Sequence, residues 1–94
     1  MNLEQTKAKL KKLISEVNSD NSGEYYDKIG EVVKKYRDSG GFGKPIQDFL
    51  SELNKEFGDV DRWKEEHIID IGNRIVGFAP PFRRIDFPDF EKEK

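Results

Sequence analysis

Residues 45 to 57 read PIQDFLSELNKEF, and this stretch decides the fold. Ile46, Phe49, Leu50, Leu53 and Phe57 recur at the spacing of one helical face, and they form the clearest apolar stripe in the chain. Pro45 stands where a first helical turn tolerates it, and Gly58 follows the last apolar position as a stop. An amphipathic helix cannot cover its own apolar face, so other elements of the chain must pack against it.

Outward from this segment the same period returns. Tyr25, Tyr26, Ile29, Val32, Val33 and Tyr36 predict a helix before it, with Glu24 and Lys28, and Glu31 and Lys35, as i, i+4 pairs on the wet face. Leu3, Leu10, Leu13, Ile14 and Val17 predict another at the N-terminus, opened by Asn2 with Gln5 as its capping pair. Asn18 to Gly23 contains only turn-formers, whose short side chains compete for backbone hydrogen bonds, and reads as a loop. The run from Asp38 to Gly43 holds three glycines and stops the second helix. Beyond Gly58, Asp59 or Asp61 caps a fourth helix with apolar positions Val60, Trp63, Ile68, Ile71, Ile75 and Val76, ended by Gly77. The β-branched pair Ile68 and Ile69 and the interior Gly72 leave residues 67 to 71 readable as a strand as well.

From Phe78 to Phe90 the chain has three prolines and four phenylalanines, so it reads as an extended tail. That much apolar surface is expected to lie across the helices, with Arg83 and Arg84 pinning it to acidic helix residues. A tail that completes a small core and a peptide-like element offered to a partner are the two readings. Glu91 to Lys94 is expected to fray. The expectation is therefore an all-α fold: one domain over residues 1–94, made of four helices with a Pro/Phe-rich tail, 78–94, packed on them.

Composition narrows the function. The 94 residues include no cysteine, which removes disulfides, thiolate metal sites and a cysteine nucleophile together. Met1 to Lys12 has no secretory apolar run, and no stretch has the length of a membrane span, so a cytoplasmic protein is expected. Charged residues make up 38% of the chain but the net charge is −2, which argues against generic nucleic-acid binding. Lys7, Lys9, Lys11 and Lys12 form a short cluster without interleaved aromatics.

No motif points to catalysis. Gly40 to Lys44 resembles a phosphate-binding loop only superficially: Asp38 stands where the first glycine belongs, and Pro45 replaces the hydroxyl residue. Glu66, His67 and Asp70 can share one helical turn, but a lone histidine among carboxylates reads as a boundary residue rather than a metal ligand. No serine sits in a nucleophile elbow, and nothing marks an apolar pocket that would split two carboxyl pKa values. The chain is expected not to be an enzyme, with no cofactor, no metal and no small-molecule substrate.

The acidic segment stands apart. Residues 48 to 70 hold eight acidic and three basic side chains, against nine basic and seven acidic in residues 1 to 47. Asp48, Glu52 and Glu56 recur every fourth residue beside the apolar stripe, and Asp59, Asp61, Glu65, Glu66 and Asp70 extend the acidity into the fourth helix. It reads either as a solvated face or as a docking surface for a basic partner.

The tract EHIIDIGNRIVGFAPPFRRI, Glu66 to Ile85, is a helix ending in Gly77 and followed by a proline-containing apolar tail. With the lysine-rich first helix and acidic later helices, it resembles the small helical immunity proteins of bacterial contact-dependent inhibition and related polymorphic toxin systems. The resemblance implies a stoichiometric inhibitor that binds and blocks a cognate basic toxin domain, often a nuclease. It carries over that role and no individual residue. The partner-binding set expected from the charge pattern is Asp48, Glu52, Glu56, Asp59, Asp61, Glu65, Glu66 and Asp70. The alternative is a non-enzymatic adaptor or a self-associating helical protein.

Overall fold

A computed structural model of the chain describes residues 2–90, and of Phe90 the backbone alone. It has four α-helices: α1 (Leu3–Glu16), α2 (Ser22–Asp38), α3 (Gly43–Phe57) and α4 (Arg62–Val76). No strand occurs among the described residues, and 67 to 71 is helical.

The first helix starts as its sequence dictates. Asn2 Oδ1 accepts from the Gln5 N–H at 2.8 Å, and Gln5 Oε1 accepts from the Asn2 N–H at 3.2 Å. Leu10 and Ile14 are buried on its inner face. The link to α2 is held by asparagine side chains: Asn18 Oδ1 accepts from the Asp20 and Asn21 N–H groups, and Asn21 Oδ1 from the Asn18 N–H. This loop is shorter than expected, because Ser22 and Gly23 already form the first turn of α2.

In the glycine run only Gly40 adopts a positive φ, 94°. Gly41 instead leaves room for the Tyr36 ring, whose hydroxyl donates to the Phe42 carbonyl at 2.8 Å. The third helix begins at Gly43, two residues before Pro45, because its first donors are met from far away. Asp89 Oδ1 accepts from the Gly43 N–H at 2.9 Å and Asp89 Oδ2 from the Lys44 N–H at 2.8 Å. Gly58 keeps helical dihedrals, so the reversal is made by the whole turn that follows it. Asp61, not Asp59, caps α4, accepting from the Trp63 N–H at 2.9 Å. Gly77 ends α4 with φ 93°, a left-handed conformation open to glycine at no steric cost.

The helices pack chiefly as two pairs, α1 with α2 and α3 with α4; α1 also meets α3 and α4, and α2 meets α4. Lys7 lies over the Phe49 ring and Lys11 reaches Glu56, so α1 and α3 run the same way. Ser22 meets His67 and Gly30 meets Arg74, so α2 and α4 share the other direction. The core draws on all four, with Leu10, Ile14, Ile29, Val33, Ile46, Leu53, Ile71 and Ile75 each 2% exposed or less. Two apolar positions expected in this core are exposed. Val60 precedes the cap of α4, so it is not on the helix, and it is 81% exposed. Trp63, five residues before Ile68, falls well off the buried face and is 40% exposed.

The tail is not uniformly extended. It makes short 3₁₀ turns at Pro81–Arg83 and Pro88–Phe90. Ile85 and Phe87 are buried, Phe87 against Tyr36 with ring centroids 6.0 Å apart. Phe78 and Phe82 are exposed, contrary to the expectation that the phenylalanines lie on the helices; Phe78 follows the left-handed Gly77 and Phe82 lies within the first 3₁₀ turn. Arg83 and Arg84 make no ion pair among the described residues. The tail is held instead by α4: Arg74 Nε donates to the Arg83 carbonyl at 2.8 Å, and the Ile85 N–H to the Arg74 carbonyl at 3.0 Å. The expectation for Glu91 to Lys94 lies outside the described residues.

Candidate functional site

The eight acidic positions do not form one field. Asp48, Glu52 and Glu56 make an exposed row on the flank of α3 that faces α1. Lys44 Nζ pairs with Asp48 at 2.9 Å and Lys11 Nζ with Glu56 at 3.6 Å, while Glu52 has no ion pair among the described residues. Glu66 and Asp70 lie on the opposite side of the α3–α4 hairpin, where they line a concavity of about 370 Å³ with Ser22, Gly23, Tyr26 and His67. Glu66 is paired with Arg62 at 3.0 Å. Asp59 sits in the turn between the two groups, exposed, and Glu65 is half-buried in the first turn of α4.

Asp61 has a structural duty. Its second oxygen accepts from Lys64 Nζ at 2.9 Å, and Lys64 also donates to the Val17 carbonyl at 3.1 Å, fastening the start of α4 to the end of α1. The Lys64 hydrogen bond, helped by the Lys64 and Trp63 N–H groups, holds the Asp61 carboxyl below the usual range. The remaining pairs join exposed side chains at helical spacing or across a seam, and such pairs are weak enough to yield to a partner.

The turn between α3 and α4 adds what the charge pattern did not show. Val60 and Trp63 present apolar surface to solvent within the acidic segment, flanked by Asp59 and Glu66. Glu66 lies one turn after Trp63 on the same face of α4. Their exposure was legible in one respect: an apolar residue immediately before an aspartate cap is outside the helix, and periodicity does not apply to it.

His67 is buried and structural. Its Nδ1 lies 3.0 Å from the Trp63 carbonyl oxygen, and its Nε2 lies 3.0 Å from the Ser22 carbonyl oxygen and 3.2 Å from Ser22 Oγ. Both ring nitrogens are thus engaged, Nδ1 within α4 and Nε2 in tying α4 to the first turn of α2. Among the described residues no group of three or more potential ligands could hold a metal ion. The glycine loop offers no cradle for a phosphate either, since the Gly43 and Lys44 N–H groups already face Asp89. Burial tends to raise the Asp89 carboxyl, but these two donors and its own N–H outweigh that and hold it below the usual range.

Comparison with protein-family models, with curated proteins and with solved structures gives no match to this chain. No helix among the described residues is long and apolar enough to cross a membrane.

Proposed function

We propose that this domain is a stoichiometric inhibitor, an immunity protein acting in the cytoplasm, that binds and occludes a basic toxin domain. A nuclease is the class whose cationic cleft, built to receive phosphate, best suits a carboxylate surface. One observation carries the reading: Val60 and Trp63 are exposed in the middle of the segment that holds eight of the chain's acidic residues. Protein interfaces draw most of their energy from a few desolvated aromatic anchors, with surrounding charges setting the rate of encounter. Here Trp63 and Val60 supply the anchor, and Asp48, Glu52, Glu56, Asp59, Glu65, Glu66 and Asp70 supply the field on both sides. The mechanism is occlusion, with no chemistry and no cofactor.

The test is growth protection by co-expression with the toxin domain encoded immediately upstream. Wild-type protein should protect, and Val60→Ser with Trp63→Ala should fail to protect while keeping the wild-type circular dichroism spectrum at the growth temperature. Absence of a basic toxin domain upstream, or full protection by the double variant, refutes the reading. The second reading is an adaptor that binds through apolar surface, favoured by the exposure of Phe42, Phe78 and Phe82. It predicts that Phe82→Ser, rather than Trp63→Ala, abolishes binding.

A further inference from the structure

The face opposite the proposed toxin surface has a charge arrangement of its own. Along the seam between α1 and α2 runs a concavity of about 510 Å³ with Leu13, Tyr25 and Val32 in its floor. The α1 rim carries Lys9 and Lys12, and the α2 rim carries Asp27 and Glu31, all four exposed and without an ion pair among the described residues. Two further charges on the rims break the pattern, and both are already engaged. Glu16 accepts from the Tyr25 hydroxyl at 2.9 Å, and Lys28 pairs with Glu24 at 3.0 Å while lying over the Tyr25 ring. What remains free is a basic edge on one helix and an acidic edge on its neighbour.

The register of the two helices aligns these edges. The Tyr25 to Glu16 hydrogen bond sets those two residues side by side in an antiparallel pair. Counted from that pair, Asp27 stands two residues, about 3 Å along the axis, from the level of Lys12, and Glu31 one residue, about 1.5 Å, from the level of Lys9, offsets that a lysine side chain spans. A two-fold axis running along the seam, parallel to the helices, lays the α1 rim of one molecule on the α2 rim of another without changing height. Lys12 then meets Asp27 and Lys9 meets Glu31, and the symmetry makes each pair occur twice. An axis across the helices would set lysine against lysine.

We propose that the α1–α2 face is the interface of a symmetric homodimer, closed by these four ion pairs over the Leu13, Tyr25 and Val32 floor. The occupant of the seam is a second copy of this chain, because the face carries a basic and an acidic rim and is therefore complementary to itself about the two-fold axis. The α3–α4 hairpin stays outside the contact, so this inference stands whether or not the toxin reading does.

Sedimentation equilibrium at low salt tests it with two charge-reversed proteins, Lys9→Glu with Lys12→Glu and Asp27→Lys with Glu31→Lys. All four side chains are exposed, and an unchanged circular dichroism spectrum verifies that the fold survives. The wild type should dimerise, more weakly as salt rises. Each double variant alone turns every pair repulsive and should dimerise about a hundredfold more weakly. Mixed in equal amounts, the two variants restore attraction across both rims, and a heterodimer should form within about tenfold of wild-type strength. A wild type that stays monomeric at millimolar concentration overturns the proposal. So does a dimer indifferent to either double reversal, which would lie on another face, and so does a mixture in which no heterodimer forms.

Discussion

Replacing Gly30 with alanine opposes two effects of known size. Gly30 lies in the interior of α2, where alanine is favoured over glycine by about 0.8–1.0 kcal/mol. A Cβ at Gly30, however, would stand 2.9 Å from both Arg74 Nη1 and Nη2 and 3.3 Å from Cζ. A guanidinium at the end of a long side chain can usually step aside. This one is 7% exposed, lies 4.7 Å above the Tyr26 ring and donates through Nε to the Arg83 carbonyl at 2.8 Å. Stepping aside weakens a hydrogen bond from a charged donor, worth about 1.5–3 kcal/mol, and a desolvated cation–π contact worth about 2 kcal/mol. With about half of that lost, Gly30→Ala should destabilise the protein by a net 1 kcal/mol or so. At roughly 4–8 °C per kcal/mol for a chain of this size, calorimetry should show a clear fall in Tm. The decisive comparison is a cycle with Arg74→Met, which keeps an unbranched stem and removes the guanidinium. In that background Gly30→Ala should change sign and stabilise by about 0.8–1.0 kcal/mol. Gly23→Ala, with nothing within 4 Å of its Cβ, should not destabilise in either background. If Gly30→Ala raises the Tm of the otherwise wild-type protein, Arg74 is not clamped and the account of how α4 holds the tail is wrong.

Phe87→Ala should cost about 3–5 kcal/mol in urea denaturation, whereas Phe82→Ala should stay within about 0.5 kcal/mol, because the first ring is buried and the second is not. Asp89→Asn should destabilise by about 1 kcal/mol at neutral pH. The folded carboxyl lies below its ordinary value, so its contribution is complete above about pH 4 and is lost as pH falls through the folded value. The Tm difference between wild type and Asp89→Asn should therefore close in acid; a constant difference down to pH 2 would show that the carboxylate is not the cap. Reversing Glu52 and Glu56 to lysine should slow association with a basic partner several-fold at low salt, while reversing Lys7 should not. Equal rates for all three proteins, measured by stopped flow, would leave the α3 row as a solvated face.

Local signals accounted for much of the fold. Period marked all four helices, and the caps Asn2, Asp61 and Gly77 act at α1 and α4 as their chemistry implies. What stayed hidden depends on residues far apart in the chain. The start of α3 moved to Gly43 because its cap is Asp89, and no window around Pro45 contains that residue. Phe87 is buried against Tyr36 and Phe82 is exposed, a difference between two tail phenylalanines that composition does not encode. Gly30 carries no local sign in the sequence of the Arg74 guanidinium that packs against it from 44 residues away. The acidic positions fared similarly: one continuous acidic segment became two groups, because a hairpin turns neighbouring stretches of sequence outward on opposite flanks.

The capping of α3 by Asp89 sets an order of events in time. The two residues are 46 positions apart, so at a synthesis rate of about 5–20 residues per second α3 leaves the active centre roughly 2–9 seconds before its cap is made. During that interval the nascent chain holds the strongest amphipathic helix of the protein with its first amides open, and with neither Ile85 nor Phe87 in place over the core. Closure is therefore a late step, timed by translation rather than by the microsecond rates at which helices form. A transcript truncated before codon 85 yields a chain that has every helix but lacks the Asp89 cap and the buried Ile85 and Phe87, and that chain should be a substrate for chaperones and proteases.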